Sequence, residues 1–275
     1  MKPKKIYIIV EGPHDSSVAG TVIRRNGLNF KSISLRTEVD SYWNNLIPTS
    51  FPGENEDGEP EFGQIKVPDF FKNTDQILAI QFAGGIDKIP RLLKDDLDLL
   101  GANQPDAIGI IIDADSTDAV AAYAALKTEI EKLKPGITLP ELPGGIFDGL
   151  PKVGVFVLPN NQKQGTLEDT MLECAGVAYP QLVPIANTAV DLASTAFGAN
   201  PDWLPAPEHK DFKKPAGPNK VRVSMIGSVM KPTYAIANSY RQQNWINKDT
   251  LELPLLGQLS TFLTLLLSER KAPKN

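Results

Sequence analysis

Short, continuous apolar runs alternate with helical patterns four times between residues 6 and 175 of this sequence. The runs occupy residues 6–10, 77–82, 107–112 and 153–158 and are rich in β-branched side chains. Each precedes a segment of helical periodicity, at residues 15–25, 86–100, 117–133 and 167–175. Runs that are apolar almost throughout are typical of strands buried on both faces of a sheet. We therefore predict an α/β fold, with a Rossmann-like parallel sheet flanked by helices.

Two regions depart from this alternation. Residues 41–72 are rich in Pro, Gly and acidic side chains and are predicted to form a long inserted loop, preceded by a strand at residues 33–37. Residues 176–275 are mainly helical in pattern, with Pro-rich joints at residues 201–218. We predict an α/β domain over residues 1–175 and a helical C-terminal extension over residues 176–275 that packs on the same domain.

Charge and cysteine content limit the classes of function. The formal net charge of -5 argues against non-specific coating of DNA or RNA, although a local basic strip could still hold a phosphate backbone. The single cysteine, Cys174, rules out an internal disulfide and a Cys-rich zinc site.

The apolar segments at the two ends of the chain do not predict membrane insertion. The first apolar run stops at Val10 and is too short for a signal peptide. The apolar stretch at residues 251–267 is interrupted by polar residues and Pro254, so it is not expected to span a membrane. We expect a cytoplasmic protein with no membrane partner. The same stretch could form a homo-oligomer interface as easily as a core element.

Acidic residues follow three of the four predicted strands. Glu11 comes after the first, Asp113 and Asp115 come after the third, and Glu168 lies just beyond the fourth. Ligands bind outside the carboxyl ends of the strands in open parallel α/β sheets. Alternation along an extended segment predicts that Asp113 and Asp115 point to the same side, where carboxylate oxygens could hold Mg²⁺. Glu11 is placed to move a proton in phosphoryl chemistry.

Each acid also has a purely structural interpretation. Asp15 could act as an N-cap or as a dipole-stabilising acid of the first helix, and Asp115 could cap the third. Thr166 with Asp169 fits a capping box, which would leave Glu168 as an early-turn acid. The convergence of these acids on one edge of one sheet favours a functional site, because independent caps have no reason to converge.

Three short motifs resemble those of the Toprim domain, the catalytic module of topoisomerases, bacterial primases and several nucleases. The sequence VEGPHD at residues 10–15 resembles the strand-end glutamate motif, and IIIDAD at residues 110–115 resembles the Asp-x-Asp motif. Asp15 and the sequence TLE at residues 166–168 resemble additions found in overcoming-lysogenization-defect nucleases, with Thr in place of Ser. The resemblance covers residues 5–175, and the whole chain is similar to stand-alone Toprim-like proteins of bacteria and archaea.

The resemblance implies a metal-dependent phosphodiester hydrolase, a nuclease that acts on DNA or RNA. It implies that Glu11 serves as general acid/base and that Lys220, or less closely Lys231, is the lysine that such nucleases carry downstream. The cofactor implied is Mg²⁺ or Mn²⁺. The acids expected around the metal, including a second metal site completed by Asp15 and Glu168, are Glu11, Asp15, Asp113, Asp115 and Glu168.

Two further patterns each allow a role in phosphate binding or a purely structural role. A basic, Pro-broken segment could contact a phosphate backbone or simply form a solvated face. Gly84 and Gly85, followed by Lys88, could approach a phosphate or form a plain tight turn. The basic segment comprises His209, Lys210, Lys213, Lys214, Lys220 and Arg222.

Departures from the Toprim pattern leave the substrate open. The sequence has no phosphate-binding Gly-x-x-x-x-Gly-Lys-Ser/Thr loop, and we expect neither a zinc site nor the additional modules of a topoisomerase. One alternative is a non-catalytic Toprim-like module that binds nucleic acid or protein. Another is a haloacid-dehalogenase-like phosphatase, because residues 113–117 fit an Asp-x-Asp-x-Thr motif. In that phosphatase Glu11 would have no role, and Asn160 and Asn161 stand where acids are expected.

Overall fold

The computed structural model describes residues 2–49, 53–54, 60–61, 67–199 and 209–269. The strands are β1 (Lys4–Val10), β2 (Lys31–Ser32), β3 (Gly53–Glu54), β4 (Pro60–Glu61), β5 (Asp69–Lys72), β6 (Gln76–Phe82), β7 (Ala107–Asp113), β8 (Ile146–Phe147) and β9 (Lys152–Leu158). The α-helices are α1 (Pro13–Arg25), α2 (Ile89–Leu100), α3 (Ala119–Leu133), α4 (Leu167–Ala178), α5 (Leu182–Ala199), α6 (Gly217–Met230), α7 (Ile236–Gln242) and α8 (Pro254–Leu267). Short 3₁₀ helices lie at Arg36–Glu38, Ser41–Leu46, Ile86–Lys88 and Thr250–Glu252.

The main sheet has the strand order β2-β5-β6-β1-β7-β9-β8. Its four central strands, β6, β1, β7 and β9, are parallel, whereas β5, β2 and β8 pair antiparallel at the edges. The predicted α/β fold is therefore confirmed. The chain runs from β1 to β6 on one side and then back to β7 on the other. This reversal creates a crevice between the carboxyl ends of β1 and β7, where open α/β sheets bind ligands.

Helices cover both faces of the sheet. Because side chains alternate along a strand, Ile6, Ile8 and Val10 of β1 lie on one face and Tyr7 and Ile9 on the other. The first face packs against α1, α4 and the C-terminal helices, and the second packs against α2, α3 and the long 3₁₀ helix. This arrangement explains why the central strands are almost continuously apolar.

The C-terminal helix α8 packs directly on the first face of the sheet at two glycines. A Cβ atom on Gly109 would lie 2.7 Å from Leu266 Cδ2, and one on Gly154 would lie 2.9 Å from Phe262 Cε2. Lys152 Nζ also donates a hydrogen bond to the Leu265 carbonyl at 2.6 Å, at the negative end of the helix. These contacts make α8 part of the same core as the sheet. The domain boundary after residue 175 stays a prediction.

The apolar side chains of α8 are mostly buried within the protein. Leu256, Leu259, Phe262, Leu263 and Leu266 all belong to the core beneath the sheet. In the ranges that the structure describes, no helix is long and apolar enough to cross a membrane. The possible homo-oligomer stays a prediction.

Two of the predicted elements before β6 are wrong. The predicted strand at residues 33–37 is displaced to β2, and Arg36–Glu38 forms a 3₁₀ turn. The predicted loop at residues 41–72 contains the 3₁₀ helix Ser41–Leu46, the β3–β4 hairpin and strand β5. Phe70 and Phe71 bury their rings on opposite faces, which stabilises β5 beside β6. Residues 50–52, 55–59 and 62–66 of this segment lie outside the described residues.

Candidate metal centre

The turn after β6 fixes the position of Glu11. The Glu11 carbonyl, directly after β1, accepts backbone hydrogen bonds from Gly84 at 2.8 Å and from Gly85 at 3.2 Å. Their φ angles of 84° and 145° lie in a region that side chains disfavour, so the turn requires glycine. The tight-turn interpretation is confirmed, because both amides are engaged by Glu11 rather than directed at a phosphate.

Asp113 joins the end of β7 to the start of α4. Its Oδ1 accepts a hydrogen bond from the Leu167 amide at 2.9 Å. The next residue, Glu168, is only 3% exposed. Its Oε2 is buried and has no hydrogen-bond partner among the described residues. An early-turn acid that merely interacts with the helix dipole would be expected to face solvent, which favours a functional interpretation of Glu168.

Asp115 reaches the site by a different route from the one predicted. Its φ angle of 53° is left-handed, so residues 113–115 are not extended and the argument from strand alternation is wrong. The backbone of Asp115 instead pairs with Gly165 through two hydrogen bonds of 2.9 Å. The capping interpretation of Asp115 is also wrong. Helix α3 is capped by Asp118, whose Oδ1 accepts from the Ala121 amide at 2.8 Å.

Asp15 combines a capping role with a place in the acid cluster. Its Oδ2 accepts a hydrogen bond from the Gly12 amide at 2.7 Å, which stabilises the start of α1. Asp169 makes the equivalent bond to the Thr166 amide at 2.7 Å at the start of α4. Asp15 is therefore the third residue of α1, and the predicted N-cap role is wrong because Gly12 occupies that position. The predicted place of Asp169, three residues after the N-cap Thr166, is confirmed. Asp15 is nevertheless only 8% exposed, whereas a carboxylate that serves only as a cap is usually solvated.

Burial and mutual repulsion raise the pKa values of the clustered acids. The pKa of Asp113 is raised well above its ordinary range by burial first, and then by the charges of Asp15, Glu11, Glu168 and Asp115. The pKa of Asp15 is raised to about 7 by burial first, and further by Glu11 and Glu168. The four other predicted acids therefore all lie within electrostatic reach of Asp113.

The pKa of Glu11 reflects its position between acids and a lysine. Burial raises this pKa most, and the charge of Asp115 raises it further. A hydrogen bond from the backbone of Asp113 and the positive charge of Lys220 oppose the increase. Lys220 also lowers the pKa of His14, although burial is the larger cause. Lys220 is thus brought close to the catalytic position predicted for Glu11.

The start of α6 holds Lys220 beside the acids. The neighbouring Asn219 donates a hydrogen bond from Nδ2 to Asp169 Oδ1 at 2.8 Å, which ties α6 to the first turn of α4. Lys231, the alternative lysine, lies at the other end of α6 with its Nζ 4.4 Å from the centre of the Tyr234 ring. The structure therefore favours Lys220 over Lys231 as the lysine of the site.

A cleft of about 820 Å³ opens beside the acid cluster. Its walls include Asp115, Thr166, Lys214, Asn219 and Lys220. The cleft is thus lined by residues that follow the strand ends and by residues at the start of α6. The described residues that line it include no aromatic side chain.

The predicted basic segment does not form a single strip. His209 is 7% exposed and stacks on Phe197 at a centroid distance of 5.6 Å, so it is a packing residue. Arg222 donates hydrogen bonds to Asn187 at 2.9 Å and to Asn219 at 2.8 Å. The part of the segment that reaches the cleft is Lys214 with Lys220.

The chemistry of the cluster fits an oxygen-preferring divalent cation. All five acids offer carboxylate oxygens, which Mg²⁺ and Mn²⁺ prefer. Glu11 Oε2 and Glu168 Oε2 are buried and lack a hydrogen-bond partner in the part of the chain described, so each is an unsatisfied acceptor. Among those same residues, no three of His, Cys, Asp and Glu are arranged to hold a metal ion as they stand. The acids are gathered, but they do not form a closed ligand cage.

Sequence patterns missed several residues around the site. The Asp118 cap could have been found from its place just before the apolar residues of α3. The Asp169–Asn219 bond could not, because it joins residues far apart in the chain. Trp43 and Trp245 are 1% and 0% exposed, so they are packing residues and offer no ring face for stacking on a base. Trp203 lies outside the described residues.

Fold and site together define an α/β protein with a cluster of buried carboxylates at the carboxyl ends of its parallel strands. The chain belongs to the family described as "Protein of unknown function (DUF3226)", whose match covers residues 5–201. It is also similar to the crystal structure of hypothetical protein PH0156 from Pyrococcus horikoshii OT3. That similarity has a TM-score of 0.52 at 16% sequence identity and covers 94% of this chain and 99% of that chain. At this identity the likeness shows the fold alone. No curated protein matches the sequence.

Proposed function

We propose that this protein is a metal-dependent phosphodiester hydrolase of the Toprim type that acts on nucleic acid. The observation that carries the proposal is the convergence of acids from three strand ends on one rim of the sheet. Glu11, Asp15 and Asp113 there all have raised pKa values, caused first by burial and then by neighbouring acids. Buried carboxylates that repel one another destabilise a fold unless a cation or a proton neutralises them.

Asp113 and Asp115 would hold the metal ion, and Asp15 and Glu168 would complete a second site. Bound there, Mg²⁺ or Mn²⁺ would supply positive charge to the phosphate oxygens during cleavage. Glu11 would transfer the proton to or from the reacting oxygen. Its raised pKa suits that role, because a general acid/base works best when its pKa approaches the operating pH.

The cleft beside the acids supports a phosphodiester substrate. Lys214 and Lys220 both line the cleft, but Lys214 forms an ion pair with Asp211 at 2.6 Å, so Lys220 is the lysine proposed to contact a phosphate. Lysine side chains bind phosphate as point charges, which suits a grip on the nucleic-acid backbone rather than on particular bases.

Cleavage assays on purified protein test the proposal. Single-stranded and duplex DNA and RNA are incubated with Mg²⁺, with Mn²⁺ or with a chelator. We expect metal-dependent cleavage that Glu11→Gln or Asp113→Asn abolishes while the fold, followed by circular dichroism, is kept. Asp118→Asn is the matched control, because it makes the same chemical change outside the cluster and Asn remains a good cap. If all substrates stay intact under every metal condition, the proposed hydrolase activity is rejected.

A second candidate is a non-catalytic Toprim-like module that binds nucleic acid or a protein partner. It is favoured by the finding that no three His, Cys, Asp or Glu side chains among the described residues are arranged to hold a metal ion. The same assays separate the two functions. Retention of DNA or RNA without turnover, unchanged by Glu11→Gln, would favour the binding module.

A further inference from the structure

The buried phenol of Tyr240 lies next to the acid cluster, although it belongs to α7 in the C-terminal part of the chain. Tyr240 is 0% exposed, and its ring meets the His14 ring edge-on at a centroid distance of 6.1 Å. Burial, followed by the negative charges of Glu168 and Asp15, raises the pKa of Tyr240. The phenol is therefore within electrostatic reach of two of the proposed metal ligands.

The side chains of Tyr240 and Glu168 carry complementary atoms that are both unsatisfied. Within the described ranges, neither Tyr240 Oη nor Glu168 Oε2 has a hydrogen-bond partner, and both are buried. A phenol is a hydrogen-bond donor, and an ionised carboxylate is an acceptor. Leaving such buried groups unpaired is unfavourable, so an unpaired group in a native structure calls for a specific explanation.

The helix that carries Tyr240 is firmly held. Arg241 donates hydrogen bonds from Nε to Ser17 Oγ at 2.8 Å and from a terminal nitrogen to Asp69 Oδ2 at 2.6 Å. Trp245 Nε1 donates to Ser239 Oγ at 2.8 Å. These bonds attach α7 to α1 and β5, and the edge-on contact places the Tyr240 ring beside His14, the residue that precedes Asp15.

We propose that Tyr240 is a positioning residue for Glu168. Its hydroxyl donates a hydrogen bond to the Glu168 carboxylate, directly or through one buried water, when that carboxylate helps to hold a divalent cation. Partners of this kind orient metal-binding carboxylates and increase metal affinity. The inference rests on the proposed function, because it requires that the acid cluster bind a cation. It adds helix α7 to the site.

Mn²⁺ titrations followed by thermal unfolding test this role, with Tyr179→Phe as a matched control. Tyr179 and Tyr240 contact the Trp245 ring similarly, at 5.1 Å and 5.3 Å, but Tyr179 Oη accepts a hydrogen bond from the Asn244 amide at 2.7 Å. We expect Tyr240→Phe to weaken Mn²⁺ binding about tenfold without lowering the unfolding temperature of the metal-free protein. Tyr179→Phe should lower that temperature and leave Mn²⁺ affinity unchanged.

A double-mutant cycle with Glu168→Gln gives an independent readout. In the Glu168→Gln background, Tyr240→Phe should cause no further loss of Mn²⁺ affinity, because the two changes remove the same interaction. If wild type binds Mn²⁺ and Tyr240→Phe binds it equally well, the positioning role is rejected while the proposed function stands. If wild type gives no Mn²⁺-dependent shift, both are rejected.

Discussion

Burial, together with four neighbouring acids, raises the pKa of Asp113 and so opposes its ionisation. Asp113→Asn removes the charge but keeps an oxygen that can accept the Leu167 amide hydrogen bond. Since burial and four other acids raise the pKa of Asp113, the metal-free variant should unfold roughly 2–4 °C higher at pH 7 for each kcal/mol of repulsion removed. It should also lose most of the stabilisation by Mg²⁺. Thermal unfolding with and without Mg²⁺ measures both effects.

The two predicted changes have opposite signs, because the variant should be more stable than wild type without metal and should gain less stability from Mg²⁺. A variant that unfolds at a lower temperature without metal, yet keeps the full Mg²⁺ response, would show that Asp113 is a structural acid. Asp118→Asn serves again as the control and should change neither quantity.

Lys220 should affect both the rate and the pH dependence of cleavage. Its positive charge lowers the pKa of Glu11, so Lys220→Gln should raise that pKa and move the acid limb of the pH–rate profile to higher pH. The rate at the optimum should fall about 10²-fold, as for the loss of one charge-stabilising donor. Lys231→Gln, at the far end of α6, should leave the profile in place. Equal effects of the two substitutions would argue against a specific role for Lys220.

At the scale of elements, α2 is joined to β1 by a buried acid away from the proposed site. Tyr7 donates a hydrogen bond to Asp96, and burial, opposed by this bond, raises the pKa of Asp96 from its ordinary 3.8 to about 6. A carboxyl group with a raised pKa contributes stability that is complete below pH 3.8 and is lost as the pH rises through about 6. Asp96→Asn should therefore gain stability relative to wild type between pH 4 and 6. Urea unfolding at several pH values measures the difference, and a constant difference would contradict the assignment.

The packing of α8 on the sheet depends on glycines in the strands below it. Gly109→Ala would place a methyl group 2.7 Å from Leu266, and such overpacking should destabilise the protein by about 1–3 kcal/mol. Gly176→Ala in α4 meets nothing within 4 Å and should instead stabilise it by a few tenths to about 1 kcal/mol. Urea unfolding gives both values. A neutral Gly109→Ala would mean that α8 does not rest on β7 as described.

The four central strands were predictable because each is marked by an apolar run within its own few residues. Residues 6–10, 77–82, 107–112 and 153–158 are apolar enough to identify buried strands, and the structure places all four in the parallel sheet. Strand β5 was missed because it has only four residues, and its stability comes from Phe70 and Phe71 packing on opposite faces.

The site was predictable only in part, for a similar reason. Strand ends converge by topology, so Glu11 and Asp113 could be placed together from the sequence. The left-handed turn at Asp115 depends on pairing with Gly165, about 50 residues later, which no local pattern reveals. Tyr240 lies beside His14 through the packing of α7 on α1, and no motif marks it.

At the scale of the whole molecule, the site uses both ends of the chain. In the proposed site, the acids follow strand ends between residues 10 and 168, Lys220 lies on α6 and Tyr240 lies on α7. Helix α8 packs beneath the sheet and shares its core. The C-terminal helices are therefore expected to be necessary for cation binding, even though the recognisable motifs all precede them.

The central claim is that the acids at the strand ends hold a divalent cation. The most direct measurement is the anomalous density of Mn²⁺ in crystals soaked with that ion. The account predicts one or two peaks among the acids, with Asp113 and Asp115 bound to at least one of them. Crystals that hold Mn²⁺ only elsewhere, or that leave Asp113 and Asp115 without a peak at saturating Mn²⁺, would contradict it.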